Sequence, residues 1–121
     1  GPGRAGAWDA LIELAIKPHK LFQRDGDNLL VDVPVSVPDA VLGGKVQAAT
    51  PEGPVTLSVP KGSNSGSVLR LRGRGAPTLR GGRGDLLARV IVTLPDTPDA
   101  ALEALAETWR KDRPYTPRRK A

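Results

Sequence analysis

Hydrophobic and polar residues alternate along most of this chain, and the alternation gives way to a helical spacing only near its end. Leu29, Val31, Val33, Val35 and Val37 occupy every second position, with Leu30, Asp32, Pro34 and Ser36 between them, which predicts a strand with one apolar face. Pro34 has no amide hydrogen, so its place in the ladder must point away from a partner strand. Leu69 and Leu71 alternate with Arg70 and Arg72 in the same way, one face apolar and one charged. From Leu86 to Leu94 only Arg89 and Thr93 are polar, so this run predicts a long central strand covered on most of both faces. Lys45 to Thr50 and Pro54 to Pro60 predict a hairpin around Pro51-Glu52-Gly53, with Val55, Leu57 and Val59 inward.

The segments between these runs carry turn chemistry. Arg24-Asp25-Gly26-Asp27-Asn28 combines glycine with Asp and Asn, whose side chains bond their own backbone. Its acids lack the ligand spacing of a calcium loop, so a structural turn is expected. Ser36-Val37-Pro38-Asp39 predicts the start of a short helix, with serine as cap and the acid three residues on completing a capping box. Ala40, Val41 and Leu42 are its expected core contacts, and Gly43 and Gly44 end it. Gly62-Ser-Asn-Ser-Gly-Ser67 is glycine-rich but lacks the Gly-Lys-Ser/Thr ending of a phosphate loop and precedes a strand, so it reads as a turn. Gly73 to Gly84 holds five glycines, one proline and three arginines, a composition suited to an exposed basic loop.

Beyond Pro95 the period becomes helical. Thr97 is the expected cap, Pro98 the first-turn residue, Asp99 and Glu103 favour the N-terminal end, and Arg110 and Lys111 the C-terminal end. Leu102, Leu105, Ala106 and Trp109 fall on one stripe. Pro114 stops the helix, and Tyr115 to Ala121 reads as a basic tail.

Composition narrows the function classes. With 14 glycines, 12 prolines and four aromatic residues in 121, short strands joined by turns are expected and a large helical core is not. There is no cysteine and one histidine, His19, so no disulfide, thiolate metal site or other cofactor site is expected. No cluster of titratable residues points to catalysis. No apolar run approaches the ~20 residues of a membrane span. The net charge of +5, with arginine outnumbering lysine among 18 basic residues, permits an acidic partner without requiring one. No methionine stands at position 1, so the chain reads as a piece of a longer protein.

Three ordered motifs carry a family resemblance. Phe22-Gln-Arg-Asp-Gly-Asp-Asn-Leu29, Pro34-Val-Ser-Val-Pro-Asp-Ala-Val-Leu-Gly-Gly-Lys45, and Val68-Leu-Arg-Leu-Arg-Gly-Arg-Gly-Ala-Pro77 followed by Gly81-Gly-Arg-Gly-Asp-Leu-Leu87 resemble the C-terminal region of DnaJ-type co-chaperones. The likeness runs from about Ile12 to Pro95 and fits the second of that family's two C-terminal β-domains. It implies a mainly β fold, a small β-sandwich with one short helix followed by a C-terminal α-helix. A weak internal repeat agrees: Ala10 to Ile16 and Leu86 to Val92 both read three apolar, one charged, three apolar, each after an aspartate and each followed by a proline. Residues 1–17 are then expected to be the last strand of a preceding similar domain or a linker, 18–95 the second domain, 96–113 a dimerisation helix and 114–121 a basic tail. The implied function is a cytoplasmic, non-enzymatic chaperone module that binds unfolded client polypeptide, works with DnaK through the full-length protein, and forms a homodimer through Leu102, Leu105, Ala106 and Trp109. His19 does not stand in the His-Pro-Asp motif of a J-domain. Some relatives are described as curved-DNA-binding proteins, so the alternative is a DNA-binding module using Arg70, Arg72, Arg74, Arg80 and Arg83. No aromatic residue lies among these arginines to stack on bases.

Overall fold

A computed structural model describes residues 21–119. The proposed closing strand at residues 1–17, and His19, lie outside the described residues. Six strands and two helices follow one another: β1 (Phe22–Asp25), β2 (Asn28–Ser36), α1 (Val37–Leu42), β3 (Gly44–Ala48), β4 (Val55–Val59), β5 (Val68–Leu71), β6 (Leu86–Thr93) and α2 (Ala100–Asp112).

Four strands form one sheet in the order β1-β2-β6-β5, and β3 and β4 form a second. β2 and β6 run parallel in the middle of the larger sheet, Leu29 beside Leu86 through Ser36 beside Thr93, while β1 and β5 flank them antiparallel. The alternation seen in the sequence becomes the core here. Leu29, Val31, Val33 and Val35 of β2 and Leu86, Ala88 and Val90 of β6 share one face, which meets Ala48 of β3 and Leu57 and Val59 of β4. Leu86, Ala88 and Val90 are wholly excluded from solvent.

The other face of β6 is less covered than its sequence predicts. Leu87 and Ile91 are only half-buried and Arg89 is exposed, because the small sheet lies on the opposite side. Parallel pairing brings Arg89 beside Asp32, whose carboxylate accepts two guanidinium hydrogen bonds at 2.8 and 3.2 Å. That bidentate pair holds the Asp32 carboxyl below its ordinary pKa and raises that of Arg89.

α1 starts as expected, with Ser36 Oγ accepting from the Asp39 amide at 3.2 Å, and ends at Gly43, whose φ of 82° suits a residue without Cβ. Only Ala40 of its predicted contacts is buried; Val41 and Leu42 are exposed, since six residues make too few turns to present more than one point to the core. The Gly/Ser loop after β4 finishes the helix: the Gly62 and Ser63 amides donate to the Val41 and Ala40 carbonyls at 3.2 and 2.9 Å. Its amides serve this fold, which explains a glycine-rich loop with no phosphate-loop ending.

α2 begins two residues later than Thr97 as cap would place it. The cap is Asp99, whose carboxylate accepts from the Leu102 amide at 2.9 Å, and Pro98 precedes the helix. Aspartate caps at least as well as threonine, so the two candidates were close in free energy and the later one prevails.

Candidate functional site

The basic loop is an ordered small hairpin. The Gly75 amide donates to the Gly84 carbonyl and the Gly84 amide to the Ala76 carbonyl, both at 2.8 Å, and Pro77 bridges to Arg83. It closes at Thr78–Gly82, where Thr78 Oγ1 donates to the Gly81 carbonyl at 2.6 Å. Its base is locked onto the β1–β2 turn. The Ala76 amide donates to the Asp27 carbonyl at 3.0 Å, the Asp85 amide to Asn28 Oδ1 at 2.9 Å, and the Leu29 amide to the Asp85 carbonyl at 2.9 Å. A Cβ at Gly75 would overlap the Asp85 carbonyl, and one at Gly84 the Asp27 carbonyl. These two glycines are present for close approach, not for positive φ.

Three of the five arginines proposed as an anion contact are drawn to carboxylates of the same domain. Arg70 on β5 meets Asp85 at 2.5 Å, and Asp85 also accepts from the Gly73 amide at 3.0 Å. The Gly73 amide and the Arg70 guanidinium, with the charge of Arg72 nearby, hold the Asp85 carboxyl below its ordinary pKa. Glu52, at the β3–β4 turn, lies between Arg83 at 3.5 Å and Arg74 at 3.9 Å. Thr50 builds that turn from a buried position: its hydroxyl donates to the Gly53 carbonyl at 2.5 Å and accepts from the Glu52 amide at 3.2 Å. Among the described residues Arg72 and Arg80 make no direct ion pair, although the charge of Arg72 acts on Asp85, and Leu79 beside Arg80 is fully exposed. The sequence displays the arginines and both acids; the pairings depend on long-range turn placement that no local pattern encodes.

The four stripe residues stay together on α2, and none is buried. Leu102 is half-buried, Leu105 is 62% exposed and Trp109 49% exposed. Leu102 closes one side of a hollow of 520 Å³ at the ends of β2 and β6, with Val35, Val37, Pro38, Leu94 and Pro95. Past the helix the chain turns back along it, and the Tyr115 ring lies 6.2 Å from that of Trp109. Together with Arg110 and Arg113 these rings border a second groove of 480 Å³. The sequence reading missed Tyr115 as part of this surface, although a tyrosine just past a helix-ending proline is placed to fold back.

Among the described residues no group of three or more His, Cys, Asp or Glu side chains is arranged to hold a metal ion, and no helix is long and apolar enough to cross a membrane.

Comparison with known proteins assigns this arrangement. "Chaperone protein DnaJ 2" of Mycolicibacterium paratuberculosis is 42% identical over 114 residues, 90% of this chain and 29% of that protein. "Chaperone protein DnaJ 2" of Cutibacterium acnes is 42% identical over 121 residues, 97% of this chain and 32% of that protein. A DnaJ-like protein of Synechocystis is 40% identical over 110 residues, 91% of this chain and 33% of that protein. The chain thus spans about a third of the length of these relatives. The family model described as "DnaJ C terminal domain" matches residues 1–95, the span that holds both sheets, α1 and the arginine hairpin, and the chain belongs to the DnaJ C-terminal domain family.

Proposed function

We propose that this chain is a chaperone module: the second C-terminal β-domain of a DnaJ-type co-chaperone, about residues 18–95, followed by a helix that joins two copies. Residues 1–17 are then the last strand of a preceding similar β-domain or a linker, and 114–121 a basic tail. The module holds apolar segments of unfolded polypeptide, and the full-length protein hands them to a DnaK-type partner. The observation that carries this reading is α2. A family β-domain with a closed core is followed by a helix whose apolar stripe is left largely exposed beyond Leu102. Exposed Leu105 and Trp109 are costly in water, and a 13-residue helix is marginal alone, so the stripe calls for a partner.

DNA binding is the weaker alternative. Arg70, Arg74 and Arg83 already pair with carboxylates, which leaves only Arg72 and Arg80 of the five without a direct ion pair among the described residues. Two such arginines give a shallow salt dependence and little affinity.

Two measurements test the reading. Sedimentation equilibrium of the wild-type chain should show a dimer, and the chain should slow aggregation of a chemically unfolded protein with little change between 50 and 300 mM salt. Apolar capture survives such screening and phosphate contact does not. A wild-type monomer at ~100 μM, well above the micromolar range of small interfaces, would sink the dimer. Capture that vanishes with salt would sink the chaperone reading of this domain.

A further inference from the structure

The charges of α2 are sorted along its axis. Asp96, Asp99, Glu103 and Glu107 precede Arg110, Lys111 and Arg113, with Asp112 the one acid in the basic half. Every ion pair among the described residues lies in the β-domain, and none involves α2. Glu103 and Arg110 lie two helical turns apart, so they share one flank of the apolar stripe, and both border the groove beside Trp109. The opposite flank carries Ala101, Thr108 and Asp112, which offer no basic group.

From this sorting we infer that two copies of α2 pair antiparallel about a two-fold axis near Ala106, with Glu103 facing the partner's Arg110 and Asp99 facing the partner's Arg113. The inference rests on the dimer reading above and adds the direction of the helices and the ionic contacts that fix it. In an antiparallel pair, like flanks meet, so the Glu103–Arg110 flank of one copy lies against the same flank of the other with its charges reversed in order. In a parallel pair the acidic halves would lie side by side, and this flank would meet one whose only charge is Asp112. Antiparallel pairing also sets Leu102 against the partner's Trp109, a smaller side chain against the largest. Ala106, in the middle, is small enough for the helices to approach closely.

The chain contains no cysteine, which makes the direction readable by disulfide mapping. Chains carrying Glu103→Cys and Arg110→Cys, one of them tagged, are mixed and oxidised. The expected product is the mixed 103–110 disulfide in excess over both self-linked species; predominance of the self-linked species overturns the antiparallel arrangement. In uncrosslinked chains, Glu103→Arg or Arg110→Glu alone should weaken dimerisation roughly tenfold, since each change acts twice across the two-fold. The double swap Glu103→Arg with Arg110→Glu should restore it to within about threefold, as the facing pairs are re-formed with exchanged partners. A dimer that is intact in wild type but shows no rescue overturns this inference alone. A wild-type monomer by sedimentation overturns the dimer reading itself, and with it this one. Thermal unfolding of each variant's β-domain, expected unchanged, separates loss of pairing from loss of fold.

Discussion

The β-domain and the helix that follows it solve opposite problems with similar residues. In the β-domain the facing apolar sides of the two sheets close on each other, and Asp32, Glu52 and Asp85 each meet an arginine. On α2 the apolar residues stay in contact with water and the charged ones form no ion pair among the described residues. Interiors are self-consistent where a unit must fold by itself. A surface left apolar and charge-sorted has its complement elsewhere. The contrast predicts that damage to the first region is read as lost stability and damage to the second as lost association.

The largest expected effect is Leu86→Ala. Leu86 is wholly buried between β2 and β5, and the cavity should cost about 2–5 kcal/mol, measured as a shift in urea midpoint at constant slope. Gly75→Ala comes next. The new methyl meets the Asp85 carbonyl, and the forced shift of the hairpin base should cost about 1–3 kcal/mol by the same assay. Trp109→Ala sharpens the contrast from the other side: the β-domain should melt as the wild type does at micromolar concentration, while the concentration dependence of the wild-type melting temperature disappears. If Trp109→Ala lowers the unfolding midpoint of a dilute sample by as much as Leu86→Ala, the two regions are one unit and the comparison fails.

Glu52→Gln should move stability by less than about 1 kcal/mol, because the acid and both arginines are partly solvated. Its clearer signature is proteolysis: without the carboxylate, trypsin should cut after Arg74, Arg80 or Arg83 faster than in the wild type. Acid should give the smallest graded effect. Asp85 and Asp32 have lowered pKa values in the fold, so the unfolded state takes up protons first as pH falls. Their stabilising contribution is complete above the ordinary aspartate value of about 3.9 and declines below it, towards their own lowered values. Replacing Asp85 with Asn should flatten that part of a pH-dependent unfolding curve.

Local pattern made the β2 and β6 strands, the β3–β4 hairpin and the Ser36 cap legible, because period-two alternation and a capping serine are readable within ten residues. The family motifs reached the fold class, and the helical period beyond Pro95 reached α2. Exposure of Val41 and Leu42 was not legible, since an apolar residue on a short helix looks the same whether or not a wall stands opposite. Nor was the use of the arginines. Arg70 and Asp85 are 15 residues apart, and Glu52 faces its arginines across separate turns, so their pairing is a product of topology. Thr97 and Asp99 differ too little as caps for sequence to choose between them.

The parallel pairing of β2 with β6 also sets the order in which this domain can be made. Leu29 and Leu86 are neighbours in the sheet but 57 residues apart in the chain, with α1, β3, β4, β5 and the arginine hairpin between them. A nascent chain leaving the ribosome therefore presents Val31, Val33 and Val35 before the strand that buries them has been synthesised. At ~5–20 residues per second that interval lasts about 3–11 s, long compared with hydrophobic collapse and with hairpin formation. For those seconds a member of a chaperone family is itself an unfinished polypeptide with an open apolar strand, in need of the protection its relatives are named for.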